Sequence, residues 1–120
     1  MSDKELLEQA AKAAGFTIVG WVQEYDVLRG DPLSDVGGPV IGDPAFGKIA
    51  VSSGKPWNPL LDDGDALRLA VKLCMNIEIT ESDVYACCQG NFSEPAKPDR
   101  EAATRRAVVR AAAEIGKSKP

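Results

Sequence analysis

The sequence predicts a layered α+β domain that contains three main helices and a small, largely antiparallel sheet. Segments with helical periodicity alternate with short runs of β-branched and aromatic residues, in the order helix, strands, helix, strands, helix. This order is typical of α+β domains, in which helices pack against an antiparallel sheet. The chain has 120 residues, of which 44% are hydrophobic, and this length suffices for a single core that buries about two-thirds of the unfolded surface.

The first predicted helix begins after Ser2 and ends at Gly15. Ser2 and Glu5 have the spacing of a capping box, in which the serine oxygen accepts from an early amide and the glutamate reaches back. One side of this helix is apolar and carries Leu6, Leu7, Ala10, Ala13 and Ala14. Gly15 supplies the left-handed conformation that commonly ends a helix.

Two strands and a long loop are predicted to follow. Residues 16–22 and 25–28 are rich in β-branched and aromatic side chains and predict the strands. Residues 29–48 contain many glycines, prolines and aspartates and predict a loop inserted in the domain. A loop of this length is either functional or a spacer, and the sequence leaves both interpretations open. Residues 49–52 predict a short strand before the turn at Trp57.

Residues 64–75 predict a second helix that is apolar on two sides. Its apolar residues fall into two groups on the helical wheel, Leu67, Ala70, Val71 and Cys74 on one side and Leu69 and Leu73 nearly opposite. The remaining polar strip consists of Asp65, Arg68 and Lys72. This pattern is typical of a helix sandwiched between other elements or buried in a partner contact. We therefore expect a homo-oligomer.

The last part of the chain predicts two strands and a third helix. Residues 76–80 and 84–88 predict strands joined by a polar turn at residues 81–83, and residues 90–98 predict a loop because Pro95 and Pro98 interrupt a helix. Residues 99–115 predict the helix, with Gly116 as its stop. Its predicted core face consists of Val108, Ala111, Ala112 and Ile115. The predicted domain is residues 1–116, followed by a tail at residues 117–120.

The charge distribution argues against broad binding to duplex nucleic acid. The formal net charge is −4, with acidic and basic residues mixed along the chain, whereas duplex binding needs clustered cations that displace phosphate counterions. Residues 1–12 are charged throughout and predict neither a signal peptide nor a membrane anchor. The longest apolar run is far shorter than the ~20 residues of a membrane-spanning helix. We expect a cytoplasmic protein without membrane contact.

The chain contains no histidine, and this lowers the expectation of an enzyme. Histidine is the usual general base, the usual zinc ligand and the usual partner of a nucleophilic serine or cysteine. Cys74, Cys87 and Cys88 lack the spacing of metal ligands and predict reduced, partly buried thiols. We therefore predict no catalytic residues, no cofactor and no resident metal.

The start of the second helix concentrates side chains that can meet a ligand. Trp57 can stack on a ring, or it can close the helix entrance as a hydrophobic staple. Asn58 opens a turn and offers an amide group. Asp62, Asp63 and Asp65 are more carboxylates than one N-cap needs. The surplus either coordinates a divalent cation or is simply solvated.

Arg105 lies at the edge of the core face of the last helix, and Glu101 and Thr104 continue that face one turn nearer the helix start. A core face that becomes polar at its N-terminal end predicts that this end overhangs a pocket or pairs with a charged neighbour. We predict that Arg105 makes a bidentate contact with the aspartates of residues 62–65. Arg29, together with the glycine amides of residues 37–38, is a further candidate for binding an anion.

Two segments of the chain carry a resemblance to a known family. Residues 57–73 read W-N-P-L-L-D-D-G-D-A-L-R-L-A-V-K-L, and residues 105–116 read R-R-A-V-V-R-A-A-A-E-I-G. Together with the first helix, they resemble small phage and prophage proteins of the phage ABA-sandwich, or NinX-like, family; residues 29–48 have no counterpart in it. The resemblance implies a three-layer helix–sheet–helix sandwich and a phage or prophage origin. It implies no catalytic residues.

These observations lead to three hypotheses for function. The first is a phage-type accessory protein for counter-defence or host modulation that sequesters a small anionic, nucleotide-like ligand. Its predicted ligand-binding residues are Trp57, Asn58, Asp62, Asp63, Arg105 and Arg29. The second is an inhibitor that binds a protein of the bacterial host through the Trp57 turn and the apolar second helix. The third is a carboxylate- or metal-dependent hydrolase that uses Asp62, Asp63, Asp65 and Glu101.

Overall fold

The computed structural model describes residues 2–21, 38–42, 55–88 and 90–119. Within these ranges the chain forms the elements α1 (Asp3–Ala14), β1 (Thr17–Trp21), β2 (Pro39–Gly42), β3 (Lys55–Pro56), α2 (Asp63–Lys72), β4 (Asn76–Ile79), β5 (Asp83–Cys87), β6 (Asn91–Pro95) and α3 (Arg100–Lys117). The combination of these helices with antiparallel strands confirms the predicted α+β class. Among the described helices, none combines the length and apolar character that a membrane crossing requires.

The described strands form two antiparallel sheets of three strands each, ordered β1-β2-β3 and β4-β5-β6. The sequence predicts one small sheet, and the strands are divided between two. β2 and β6 occupy residues predicted as loops, so this part of the prediction is wrong. Pro39 is the first residue of β2 and Pro95 lies in an edge strand, positions where a missing amide donor is tolerated. The strands predicted at residues 25–28 and 49–52 lie outside the described residues.

α1 has the predicted caps at both ends. The Glu5 amide donates a hydrogen bond to Ser2 Oγ (3.2 Å), and the Ser2 hydroxyl donates to Glu5 Oε1 (3.3 Å). Gly15 has a φ of 79°, in the left-handed region, and its amide donates to the Ala11 and Lys12 carbonyls. The predicted apolar side of α1 is buried, so its short-range signals and its packing agree.

α3 lies at the centre of the domain and is covered on two sides. One side packs on β5 through Ala103, Ala107 and Ala111. The other side packs on α1 and α2 through Val108, Val109, Ala112 and Ala113. Because these side chains are small, the neighbouring elements approach the α3 backbone closely.

Within the described residues, one of the two apolar sides of α2 is covered only in part. Leu69 and Ala70 are buried, whereas Leu67 and Val71 are 62% and 69% exposed. The sequence predicts that other elements or a partner cover both sides. The described part of the chain covers Leu69 on one side and Ala70 on the other, and it leaves Leu67 and Val71 of the second side in solvent.

Gly116 lies inside α3 rather than at its end, so its predicted role as a helix stop is wrong. A Cβ atom at this position would stand 1.9 Å from the Gln9 carbonyl oxygen of α1. The backbones of α1 and α3 therefore touch at a point where only glycine fits. α3 continues to Lys117, and in the predicted tail the Lys119 ammonium donates to the Ala13 carbonyl (3.0 Å).

Replacement of Gly116 with alanine should destabilise the protein, although alanine is normally better in a helix by about 1 kcal/mol. The added methyl group overlaps the Gln9 carbonyl, and the forced movement of the helices should cost about 1–3 kcal/mol. The matched control is Gly64→Ala in α2, where the methyl group would meet the ends of the Arg68 and Asp62 side chains, which can move.

Urea unfolding measures the free energy of unfolding of both variants. A lower value for G116A than for the wild type, with G64A unchanged or slightly more stable, is the expected result. Equal stability of G116A and the wild type would contradict the close contact of α1 with α3.

Candidate functional site

Trp57 anchors the turn that leads into α2. The indole ring is buried and meets the Phe16 ring edge to face, with centroids 5.5 Å apart and planes at 77°. The Trp57 amide donates to the Pro39 carbonyl (2.9 Å), which ties the turn to β2. Leu60 lies in the same core cluster, so the indole packs in the core at the entrance of the helix. The buried ring leaves no open face for stacking on a ligand.

Asn58 and Asp65 form a buried polar pair within the same turn. Asp65 Oδ2 accepts a hydrogen bond from the backbone amide of Asn58 (2.9 Å), and Asp65 Oδ1 accepts from Arg68 Nη2 (2.8 Å). The Asn58 side-chain oxygen accepts from the Leu60 amide (3.1 Å). Asp65 is 1% exposed, and these bonds offset the desolvation of its carboxylate. Asn58, a predicted ligand residue, thus stabilises the turn itself.

Asp62 and Asp63 each bind a different protein group. Asp62 is the N-cap of α2, and its Oδ2 accepts from the Asp65 amide (2.8 Å). Asp63 Oδ1 accepts from Arg105 Nη1 of α3 (2.5 Å). The carboxylates in surplus over capping are therefore directed to separate partners. Within the described ranges, no group of cysteine, aspartate and glutamate side chains is arranged to hold a metal ion.

Arg105 joins α3 to the start of α2. In addition to its contact with Asp63, Arg105 Nε donates to the Leu60 carbonyl (3.0 Å). The prediction that Arg105 reaches the aspartates is confirmed. The predicted bidentate contact is wrong, because the guanidinium divides its bonds between one carboxylate oxygen and one backbone carbonyl. The Arg105 side chain is 15% exposed, so the link lies at the boundary between core and solvent.

α2 leads directly into β4 through a tight turn. The helix ends at Lys72, before the predicted end at residue 75, and Cys74 has a φ of 53°, in the left-handed region. The Cys74 amide donates to the Val71 carbonyl (3.2 Å) and the Met75 amide to the Ala70 carbonyl (3.0 Å), which is the pattern of a Schellman motif. The chain therefore turns sharply after the helix, and β4 begins at Asn76, directly after Met75.

A groove of about 300 Å³ opens between α2, β4 and α3, and we call it the α2–β4 groove. It is lined by Asp63, Ala66, Leu67, Ile77, Ile79, Glu101, Thr104, Arg105 and Val108. Most of this lining is apolar. Glu101, Thr104 and Arg105 border it, which confirms the prediction that the N-terminal end of the last helix overhangs a pocket.

Apolar side chains on two walls of the groove are exposed to solvent. Leu67 on α2 and Ile79 on β4 are both more than half exposed. Ile79 is paired with Val84, which is fully buried, and directly paired residues of antiparallel strands share one face of the sheet. Ile79 thus lies on the α3 side of the sheet and is exposed because the described residues do not fill the groove.

The contribution of β4 to this groove is not predicted from the sequence. A signal was present, since the alternation N-I-E-I at residues 76–79 places Ile77 and Ile79 on one face of a strand. The location of that face beside α2 depends on the turn at Cys74, which carries no glycine to mark it.

One carboxylate at the groove has no protein partner in the part of the chain that the structure describes. Asp63 and Arg105 offset each other's charge, and the Thr104 hydroxyl donates to the Arg100 carbonyl (2.8 Å). Glu101 is exposed, and its side chain makes neither a hydrogen bond nor an ion pair with the described residues. The groove is therefore apolar inside and negatively charged at its border.

A second cavity, of about 370 Å³, lies between α1, β6 and α3. Its cations are Arg106, Arg110 and Lys117, and they pair with Asp3, Glu94 and Glu114. Arg110 also lies over the Phe92 ring, 5.4 Å from its centroid. Because each cation has an acidic partner, the cavity offers little surplus positive charge to an anionic ligand.

Arg29, the remaining predicted ligand residue, lies outside the described residues. No family model, no curated protein and no solved structure matches the chain. The contacts and exposure of the groove residues are therefore the basis on which we propose a function.

Asp65→Ala should destabilise the fold, because it removes the acceptor of the buried Asn58 amide and the partner of Arg68. A buried donor left without an acceptor costs about 1–3 kcal/mol. The control is Asp63→Ala in the same helix, whose carboxylate is largely exposed and whose ion pair should contribute about 0–1 kcal/mol. Urea unfolding should rank D65A clearly below D63A. If both variants unfold alike, Asp65 does not organise the turn.

Proposed function

We propose that this chain is a binding protein that holds an apolar segment of a partner protein in the α2–β4 groove. The observation that carries this proposal is the exposure of Leu67 and Ile79 on two walls of a groove that Ala66 and Val108 also line. Exposed apolar surface costs about 25 cal/mol per Å² relative to buried surface. Clusters of exposed apolar side chains accordingly mark interaction sites in globular proteins.

Val71 extends this apolar surface along α2. It lies one helical turn after Leu67 and is also largely exposed, and residues at this spacing are neighbours on a helix surface. The hypothesis of an inhibitor that binds a protein through its apolar second helix is thereby supported. The Trp57 ring is buried. In this proposal the Trp57 turn therefore stabilises the start of α2 from within the core and is not part of the surface that contacts the partner.

The geometry gives less support to sequestration of an anionic ligand. Trp57, Asn58 and Asp62 are engaged in the turn, and Arg105 is paired with Asp63. An anion would have to displace the Asp63 carboxylate from Arg105 and would then lie close to the charge of Glu101. Coulomb repulsion in this partly desolvated place works against such a ligand.

Hydrolysis by carboxylates also receives less support. A pair of carboxylates, or a metal that they share, must act on one substrate atom or water. Asp62, Asp63 and Asp65 are each bonded to a different amide or guanidinium group. Glu101 lines the groove without a second carboxylate that is free to act with it among the lining residues.

The resemblance to small phage proteins predicts which partner to examine first. It points to a protein of the bacterial host, met in the cytoplasm, with counter-defence or host modulation as the consequence. The phage origin and the cytoplasmic location both stay predictions. The proposal of a binding groove is supported by the exposed side chains of the groove. It does not depend on the phage origin or on the cytoplasmic location.

A displayed library of random peptides tests whether the groove binds apolar segments. The wild-type chain should enrich peptides with large apolar side chains. Leu67→Asp or Ile79→Asp should weaken binding of the enriched peptides at least about tenfold, because burial of one Leu or Ile contributes about 1.5–3 kcal/mol. The matched control is Leu61→Asp, since Leu61 is 54% exposed but does not line the groove.

Circular dichroism and urea unfolding establish that the three variants keep the wild-type fold. Binding that survives in L61D and is lost in L67D and I79D supports the proposal. Enrichment of the same peptides by L67D, or no enrichment by the wild type, contradicts it.

A further inference from the structure

We propose that the partner segment binds in the α2–β4 groove as an added β-strand, hydrogen-bonded to the outer edge of β4, and that it alternates apolar with basic residues. This inference rests on the proposed function, because it specifies how the same groove holds its partner. β4 is an edge strand, since among the described strands it pairs with β5 alone. Edge strands can accept an extended segment of another chain.

The backbone groups of Ile77 and Ile79 point away from β5. The Thr80 amide donates to the Asp83 carbonyl (2.9 Å), so Thr80 and Asp83 form a hydrogen-bonded pair of the ladder between β4 and β5. Bonded and non-bonded pairs alternate along an antiparallel ladder. The next pair, Ile79 with Val84, is therefore non-bonded, and the pair that contains Ile77 is non-bonded for the same reason.

The pairing of β5 with β6 leads independently to the same assignment. The Cys88 amide donates to the Gly90 carbonyl (3.1 Å), and the same alternation makes Val84 and Ala86 bonded partners of β6. Their backbone groups are thus directed to β6 and cannot also bond to β4. The outer N–H and C=O groups of β4 are consequently unpaired within the described residues.

The α2–β4 groove lies where an added strand requires space. Neighbouring strands are about 4.8 Å apart, and the groove lies between β4 and α2 with α3 on one side. Side chains of the added strand that point into the groove would cover Ile77, Ile79 and Val108. An apolar side chain at these positions would cover Ile79, in the same way that the protein already covers Val84, the cross-strand partner of Ile79.

The charges beside the groove determine the other residues of the segment. Glu78 lies between Ile77 and Ile79 in the strand and is exposed, on the opposite face of the sheet. Glu101 borders the groove on the α3 side, toward which the apolar side chains of the segment would point, so it adds negative charge near the segment without lying opposite its alternate positions. Opposite charges on adjacent strands are favourable. Lysine or arginine at alternate positions of the segment would therefore complement this edge, and the net charge of −4 attracts a basic segment from a distance.

The same charge disfavours a second copy of this chain at the edge. In the register in which Ile77 of each copy pairs with Ile79 of the other, the two Glu78 side chains face each other. Like charges directly opposite on paired strands are destabilising. A heterologous basic segment is therefore the occupant that the edge selects.

Amide hydrogen exchange of the full chain, read residue by residue by NMR, tests the inference. The probe is a synthetic peptide of about six residues, the usual length of a strand, that alternates valine and lysine. In the free protein, the Ile77 and Ile79 amides should exchange much faster than the Glu78 amide, which faces β5. The peptide should slow the exchange of Ile77 and Ile79 at least about tenfold.

Two methylated peptides separate strand addition from contact through side chains alone. In a strand, the amides of alternate residues face opposite edges, so methylation of all valine amides or of all lysine amides blocks one edge at a time. One of these peptides should bind at least about tenfold more weakly, and the other should bind as the unmethylated peptide does. Glu78→Lys should weaken the valine–lysine peptide and strengthen a valine–glutamate peptide.

The inference would be overturned if the Ile77 and Ile79 amides exchange slowly in the free protein. Slow exchange would mean that self-association or another part of the chain already covers the edge. Equal binding of both methylated peptides would also overturn it. If Leu67→Asp still abolishes binding in that case, the proposed function stands and only the strand addition is rejected. The proposed function fails in a different way, when the wild type and Leu67→Asp bind the peptides alike.

Discussion

The burial of α3 on two sides is the constraint on which the other elements depend. One side meets the sheet β4-β5-β6, and the other meets α1 and α2. A helix in this position can carry only small side chains where its neighbours approach closely, and at Gly116 it can carry none. Small side chains bury little apolar area, so the larger side chains of the neighbours, such as Leu6, Leu69 and Trp57, supply most of the core around α3.

The groove follows from a change in character along α3. Where α3 passes between α1 and the sheet, its side chains are mainly alanine, and the layers close tightly. Near its N-terminal end, Glu101, Thr104 and Arg105 replace them. These residues are longer and polar, and the bonds of Arg105 to Asp63 and Leu60 hold the start of α2 at a fixed place. α2 therefore stays apart from β4, and its Leu67 side remains uncovered.

The sequence predicts the features that short-range chemistry determines. Ser2 and Gly15 bound α1 through contacts a few residues away, whereas the pairing of Arg105 with Asp63 joins residues 42 positions apart and is predicted only as far as the group of aspartates that Arg105 reaches. Gly116 is misread because a helix stop and a close helix contact require the same residue. The division into two sheets and the choice of which side of α2 is covered depend on contacts between distant segments, which no local pattern reports.

The outer edge of β4 meets two opposing demands. An open edge beside apolar side chains favours pairing with other chains, and proteins commonly prevent this with a charge on the edge. Glu78, between Ile77 and Ile79, supplies such a charge. If stability were the sole constraint, polar residues in place of Leu67 and Val71 would remove exposed apolar surface without any loss of core. The apolar walls beside a negatively charged edge are therefore what the proposed binding of a basic segment requires, while the same charge opposes pairing with a second copy of the chain.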